Sequence, residues 1–137
     1  MNRLEAAVAS YEEALAIRRQ LAEERPDVYL PEVATTLSNL GNVQTKMNRF
    51  EAAIASFQEA LTIQRPLAEV RPNVYLPDVA LTLNNLNAVL FKMNRFEAAL
   101  ASCREALTSY RQLAEAQPDV YLPDVAMTQH NLSLIHI

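Results

Sequence analysis

The stretch Met47-Asn48-Arg49-Phe50-Glu51-Ala52-Ala53 decides the fold of this chain because it occurs three times. The same seven positions read Met-Asn-Arg-Leu-Glu-Ala-Ala at 1–7 and Met-Asn-Arg-Phe-Glu-Ala-Ala at 93–99, so the spacing is 46 residues each time. A fixed period of this length is typical of solenoid proteins, in which neighbouring units bury their apolar faces against each other. The sequence therefore predicts one array over 1–137, with units 1–46, 47–92 and 93–137.

Each unit carries the pattern of two helices. Apolar residues recur at steps of three and four through 49–70, which indicates one face of a helix, and Arg71-Pro72 is expected to end it. Pro77-Asp78 is expected to open the second helix, with proline at the first helical position, so that 71–77 is a connector. The chain has a single glycine and is rich in Ala, Leu and Glu, which favours helices over a sheet. The prediction is an all-α solenoid of six antiparallel helices near 3–24, 32–46, 49–70, 78–92, 95–116 and 124–134.

Three local features complete this interpretation. Asn94, like Asn48, is expected to cap one helix and turn the chain into the next. Ala53 and Ala99 are expected to be buried where the helices of a pair come closest, since the repeat keeps a small residue there. Pro66 is expected to bend the middle copy because it removes one backbone hydrogen bond.

Composition and charge exclude several classes of protein. The net charge of −4 comes from 16 acidic and 12 basic residues spread over every unit, without a basic patch, so nucleic acid is not expected as a partner. No apolar run approaches the ~20 residues of a membrane helix, so no membrane is expected either. A single cysteine, Cys103, can form no internal disulfide, which fits a reducing cytoplasm.

The apolar pattern resembles the tetratricopeptide repeat. Leu37, Leu40-Gly41, Phe50, Ala53, Phe57 and Ala60-Leu61 match its large, small and aromatic positions, and the match returns one unit later. The long unit and the phrase Pro-Asp-Val-Ala-x-Thr-Leu-Asn-Asn-Leu at 77–86 resemble the kinesin-light-chain type, which also occurs in bacterial arrays attached to signalling or ATPase modules. The resemblance implies a right-handed superhelix of helix pairs that binds proteins. The chain departs from the pattern at Asn87, where the family prefers Gly or Ala, and at Gln129, where a large apolar residue is missing.

A row of polar residues is the candidate site. In the family the first helix of each pair lines the concave groove, and this row would lie there. Asn39, Asn85 and Asn131 recur one unit apart, and an amide can donate to and accept from the backbone of an extended peptide. Ala88 and Phe91 stand where the first unit has Asn42 and Thr45, so the part of the groove contributed by the second unit is expected to be more apolar than the first. An alternative is that these asparagines only satisfy neighbouring backbone or each other between helices. The candidate peptide-binding residues are Ser38, Asn39, Asn42, Lys46, Asn84, Asn85, Ala88, Phe91, Lys92, His130 and Asn131.

Catalysis, metal binding and cofactors are not expected. The reactive side chains are few, and Cys103 occupies the core position of Tyr11 and Phe57, so a buried core residue is expected. Glu5, Glu51 and Glu97 stand near helix starts, where they complement the helix dipole. Two functions remain: a scaffold that binds a protein or peptide, or a structural, self-associating spacer within a larger signalling protein.

Both ends of the chain are expected to be cuts through a longer bacterial or metagenomic array. Met1 falls on the repeat methionine, and the repeat pattern breaks at 133–137. The six residues 132–137 also match what a transposon-end adapter used in DNA library preparation would encode in one frame. Under that hypothesis 133–137 is an artefact, His136 has no function, and the isolated chain self-associates through uncovered ends.

Overall fold

The computed structural model describes residues 2–135, and six helices with very short connections make up nearly all of this part of the chain. Within it there is no strand, so the all-α prediction is confirmed. Met1, His136 and Ile137 lie outside the described residues, as does the hypothesis about His136. The helices are α1 (Arg3–Glu24), α2 (Pro26–Lys46), α3 (Phe50–Val70), α4 (Pro72–Lys92), α5 (Phe96–Ala116) and α6 (Pro118–Ile135).

Two compact units divide the helices, with the boundary inside α3 between Gln64 and Arg65. In the first unit α1 packs against α2, and its core joins side chains of α1 and α2 to Ala60 of α3. In the second unit α5 packs against both α4 and α6, and a cluster around Ala80, Tyr110 and Leu113 lies among them. Each helix therefore buries one apolar face against its neighbours in the chain, as expected for a helical repeat.

The starts predicted for α2, α4 and α6 are wrong by about one and a half turns. These helices begin at Pro26, Pro72 and Pro118, and the segments expected to be connectors are helical. Proline at the first helical position sacrifices no hydrogen bond, because that amide has no partner inside the helix. Pro31 lies inside α2 and does remove one bond, but Leu30 and Val33 continue the apolar face of Leu37 and pack into the core. That burial keeps the segment helical in spite of the second proline.

A three-residue turn joins α2 to α3 and α4 to α5, and it confirms the role predicted for asparagine. Asn48 and Asn94 have φ of 60°, the left-handed conformation that asparagine tolerates better than most residues. The amide of Arg49 donates to the carbonyl of Gln44 at 2.9 Å, and that of Asn48 donates to Thr45 at 3.0 Å. This is the Schellman motif, and it satisfies carbonyls that the helix end would otherwise leave unpaired.

Close packing within the pairs fixes where small residues stand. Ala53 and Ala99 are completely buried, as predicted. A Cβ atom added to Gly41 would lie 2.6 Å from Cε1 of Phe57, so the aromatic ring already occupies the space of a side chain. One unit later the same two positions hold Asn87 and Cys103, both buried, so a larger residue on α4 accompanies a smaller one on α5. The departure from the family pattern at Asn87 is thus compensated by its partner position.

Candidate functional site

A hollow of about 270 Å³ lies between α4 and α6 in the second unit. It brings together five of the residues that the sequence pattern nominated, along with one buried asparagine and two aliphatic residues of α6. We call this surface the α4–α6 hollow. Its lining residues are Asn84, Asn87, Ala88, Phe91, Lys92, Asn131, Leu134 and Ile135.

Two amide oxygens in the α4–α6 hollow have no hydrogen-bond partner among the described residues. They are the Oδ1 atoms of Asn84 and Asn87, and both are buried. Asn87 as a whole is only 5% exposed. A buried acceptor left unpaired costs on the order of 1–3 kcal/mol, so a donor that reaches these atoms would be bound favourably. The hollow is therefore lined by apolar side chains together with two asparagines whose buried amide oxygens have no partner among the described residues.

Asn84 also holds the helices together around the hollow. Its Nδ2 lies 3.5 Å from the hydroxyl of Thr128 on α6, and it hydrogen bonds to Tyr110 on α5. Burial raises the pKa of Tyr110, and the nearby carboxylate of Asp124 adds to the increase, so this hydroxyl stays protonated. Asn84 thus has a structural role besides its place in the hollow.

The remaining candidates of the second unit differ in exposure. Asn85 on α4 and Asn131 on α6 are half-buried, and His130 is exposed. Phe91 is 42% exposed and packs edge-on against Phe96, with ring centroids 5.3 Å apart. An aromatic ring held in this way, yet open to solvent, offers apolar contact area at a small cost in side-chain entropy.

In the first unit the candidate residues lie on α2. Asn39, Asn42 and Lys46 are exposed, and Ser38 is half-buried. Beside them, Gln44 accepts a hydrogen bond of 2.7 Å from Ser56 and thereby ties α2 to α3. The exposed amides of Asn39 and Asn42 are accordingly available to a ligand from solvent.

Asn87 is the site residue that sequence reasoning missed. The sequence marks Asn87 only as a departure from the family pattern. Its burial depends on residues of other helices, and the order of residues along the chain does not show which of them lie near it. A usable signal did exist in the paired change from Gly41 and Phe57 to Asn87 and Cys103. A polar residue that replaces glycine opposite a shortened neighbour indicates a new cavity or a new hydrogen-bonding group.

The residues set aside as non-catalytic have ordinary structural roles. Cys103 is completely buried, its Sγ lies 3.5 Å from the carbonyl of Thr128, and burial raises the pKa of the thiol. Glu5, Glu51 and Glu97 occupy first turns, as predicted. Among residues 2–135, no three His, Cys, Asp or Glu side chains are grouped so as to hold a metal ion. None of the helices among these residues has the length and apolarity required to cross a membrane.

A second surface repeats with the period of the sequence. Arg19 of α1 donates two hydrogen bonds to the carboxylate of Glu59 on α3, one of them at 3.0 Å. Arg65 of α3 donates two to Glu105 on α5, at 2.9 and 2.8 Å. Each pair borders a shallow groove, of about 380 Å³ in the first unit and 360 Å³ in the second. We call these two pairs the ion-pair row.

The fold and its repeated surfaces define a helical-repeat protein built from antiparallel helix pairs. Tetratricopeptide-repeat profiles match residues 1–65 and 79–119, which together make up more than half of the chain. The chain therefore belongs to the tetratricopeptide repeat family, as its apolar pattern indicated. Repeats of this family generally mediate protein–protein interaction, and they are generally non-enzymatic.

Among solved structures, the chain is similar to "BtubC (BKLC) from P. vanneervenii", with 21% sequence identity and a TM-score of 0.49. The similarity covers 99% of this chain and 66% of that one. No curated protein sequence matched the chain.

Proposed function

We propose that this chain is a non-enzymatic scaffold that binds an extended peptide or protein segment through the first helices of its pairs, α2 in the first unit and α4 and α6 in the second. First helices of the pairs line the concave groove in the family, and these three helices are the first helices here. The observation that carries the proposal is the α4–α6 hollow, where an apolar wall surrounds two unpaired amide oxygens. Small-molecule and peptide sites share this combination of apolar lining and a few convergent polar groups.

The peptide backbone is expected to hydrogen bond to the asparagines that recur one unit apart. A peptide N–H satisfies an amide oxygen without regard to the side chain beside it, so contacts through Asn39, Asn85 and Asn131 demand little of the ligand's sequence. Side-chain selectivity would come from the hollow, where Ala88 and Phe91 favour an apolar residue. Lys46 and Lys92 are both exposed, so they would attract acidic side chains weakly.

A peptide-library screen followed by titration tests this function. Asn85→Ala removes one or two hydrogen bonds, each worth about 0.5–1.5 kcal/mol net, so affinity for a selected peptide should fall several-fold to over tenfold. The matched control is Asn73→Ala, which changes an exposed asparagine in the first turn of α4, remote from the hollow in sequence. Equal affinity in the wild type and an Asn39→Ala/Asn85→Ala double variant would contradict backbone recognition by these residues.

The competing function is a structural spacer that leaves this face unused. It predicts no saturable peptide binding by any variant, together with unchanged stability when Asn39 and Asn131 are replaced. The kinesin-light-chain type of repeat and a cytoplasmic location remain predictions from the sequence. The peptide-library screen tests the binding function without assuming either of them.

A further inference from the structure

The two grooves beside the ion-pair row have the same lining. Eight positions between residues 19 and 63 line the groove of the first unit, and the eight positions one unit later all line the groove of the second. Seven of the eight hold the same residue type in both grooves, and the exception is Ile63, which Ser109 replaces. We call them the acid-rimmed grooves, after Glu23 in the first and Glu69 in the second.

The floor of each acid-rimmed groove is apolar. In the second groove it is formed by Ala68, Leu76 and Val79. Ala68 and Val79 are 7% and 2% exposed, whereas Leu76 is half-buried and keeps part of its side chain open to solvent. The first groove has the equivalent residues and adds the half-buried Ile63. An aliphatic side chain of a partner would gain by covering this floor, because burial of apolar surface is favourable.

The lining of each groove has one more acid than it has bases. In the second groove Arg65 donates two hydrogen bonds to Glu105, at 2.9 and 2.8 Å, so these two charges offset each other. Glu69 lies one turn after Arg65 on the same side of α3. It is exposed and makes no ion pair among residues 2–135, and the same holds for Glu23 in the first groove. One cation and two acids give the lining of each groove a net charge of −1.

We propose that each acid-rimmed groove binds a segment of another protein that presents an aliphatic side chain next to a lysine or an arginine. In the second groove the aliphatic side chain lies on Leu76, and the cation lies beside Glu69. An acidic neighbour would be repelled by the same carboxylate, so charge complementarity selects basic segments. The grooves share no residue with the α4–α6 hollow, and this inference does not rest on the proposed function.

Titration of isotope-labelled protein with the model peptide acetyl-Leu-Arg-amide tests the proposal. Saturable changes of amide chemical shifts should centre on the grooves, at residues such as Leu30 and Leu76. Two control peptides separate the contributions. Acetyl-Leu-Glu-amide reverses the charge and acetyl-Gly-Arg-amide removes the aliphatic side chain, so each should bind more weakly. High salt should weaken binding of the arginine peptide, because these carboxylates are exposed and therefore screened.

Reversal of one charge tests the role of the carboxylate. Glu69→Lys should weaken binding of acetyl-Leu-Arg-amide to the second groove by about two- to tenfold, as expected for an exposed charge pair, and it should leave the first groove unchanged. It should also strengthen binding of acetyl-Leu-Glu-amide there. Glu12→Lys is the matched control, since it makes the same change at an exposed position of α1 that lines neither groove. Circular dichroism checks that each variant keeps the helical content of the wild type.

Exchange of one floor residue tests the apolar contact. Ile63→Ser gives the first groove the residue that the second groove has at the equivalent position, where the fold accepts it. The leucine side chain of the peptide then loses apolar contact area. Binding to the first groove should weaken by roughly fourfold or more, the equivalent of one buried methylene group.

Three results would overturn the proposal. Shift changes that are absent, or that do not centre on the grooves, would show that these surfaces do not bind such a segment. Equal binding of the arginine and glutamate peptides would show that Glu23 and Glu69 select no charge. Equal losses of affinity in Glu69→Lys and Glu12→Lys would assign the attraction to the net charge of the whole chain.

Discussion

The ring of Phe57 occupies the space that a side chain at Gly41 would need, with Cε1 only 2.6 Å from the position of a Cβ atom there. The absence of a side chain on α2 is therefore matched to the presence of a large one on α3. In the next unit both residues differ in size. The larger Asn87 stands at the glycine position, and the smaller Cys103 stands at the aromatic position.

Transplanting the second pair into the first unit should show that the two positions are coupled. Gly41→Asn alone should destabilise the protein by about 1–3 kcal/mol through overpacking. Phe57→Cys alone should leave a cavity, with a cost approaching the roughly 3–5 kcal/mol typical of Phe→Ala. The double variant should lose less than the sum of both, with a coupling energy on the order of 0.5–3 kcal/mol. Urea unfolding of the four proteins measures it, and additive losses would mean that the two side chains do not share space.

The ion pair of Arg19 and Glu59 should make stability depend on pH and salt. The hydrogen bonds from Arg19, and secondarily its charge, lower the pKa of Glu59 against the opposing effect of burial. A lowered pKa stabilises the fold above the unfolded value of about 4.3, and this stabilisation is lost as the pH falls through the folded pKa. Because both side chains are more than 40% exposed, its size should be only about 0.2–1 kcal/mol.

Thermal unfolding of the wild type and Glu59→Gln measures this contribution. The difference should be present at neutral pH, shrink in high salt and vanish in acid. Glu12→Gln, which removes an exposed acid of α1, serves as the control and should leave stability nearly unchanged. A difference between the wild type and Glu59→Gln that grows on acidification would have the wrong sign for this ion pair.

Cys103 should be inert in the folded protein. The thiolate is the reactive form, and burial both hides the sulfur and raises the pKa of the thiol. Labelling with a chromogenic disulfide at mildly alkaline pH should therefore be slow, and it should become fast once urea unfolds the protein. As a control, Ala101→Cys in a Cys103→Ala background places the thiol at an exposed position of the same helix, where it should react at once. Rapid labelling of native wild type would mean that α5 opens locally.

Asn94 should tolerate glycine but not alanine. Its φ of 60° is easily reached by glycine and tolerated by asparagine, whose short polar side chain can hydrogen bond locally, whereas alanine lacks that compensation for a cost of roughly 1–2 kcal/mol. Asn94→Ala should lower the free energy of unfolding accordingly, and Asn94→Gly should change it little. The order reverses at Ala98, an exposed position within α5, where Ala98→Gly should cost about 1 kcal/mol. Chemical denaturation of the three variants compares them, and a stable Asn94→Ala would indicate that the turn has another conformation.

Periodicity predicted the number and type of helices because each unit repeats the same apolar face. It also located the turns at Asn48 and Asn94, where asparagine at a helix end has a local conformational reason. Periodicity predicted the starts of α2, α4 and α6 wrongly because Pro31 and its equivalents are typical of a first helical position. Their effect is local, whereas the burial of Leu30 next to Val33 depends on α1, which lies far away in sequence.

The candidate site could be predicted less well than the fold. Periodicity predicts which residues of a helix are exposed to solvent. Asn39, Asn42 and Lys46 are exposed in the structure. The α4–α6 hollow depends instead on how side chains of two helices leave space between them. Its unpaired oxygen belongs to Asn87, whose burial depends on neighbouring helices and cannot be read from one helix alone.

The matched sizes at Gly41 with Phe57 and at Asn87 with Cys103 also bear on how nearly identical helices find their own partners during folding. If α4 paired with α3 as α2 does, the side chain of Asn87 would collide with Phe57, and if α2 paired with α5 as α4 does, Gly41 and Cys103 would leave a void. Repeat proteins are prone to such misassembly between similar units. The two matched residues in each helix pair thus disfavour pairing of a helix with the equivalent helix of another unit. Each helix of this repetitive chain is therefore specific for its own partner.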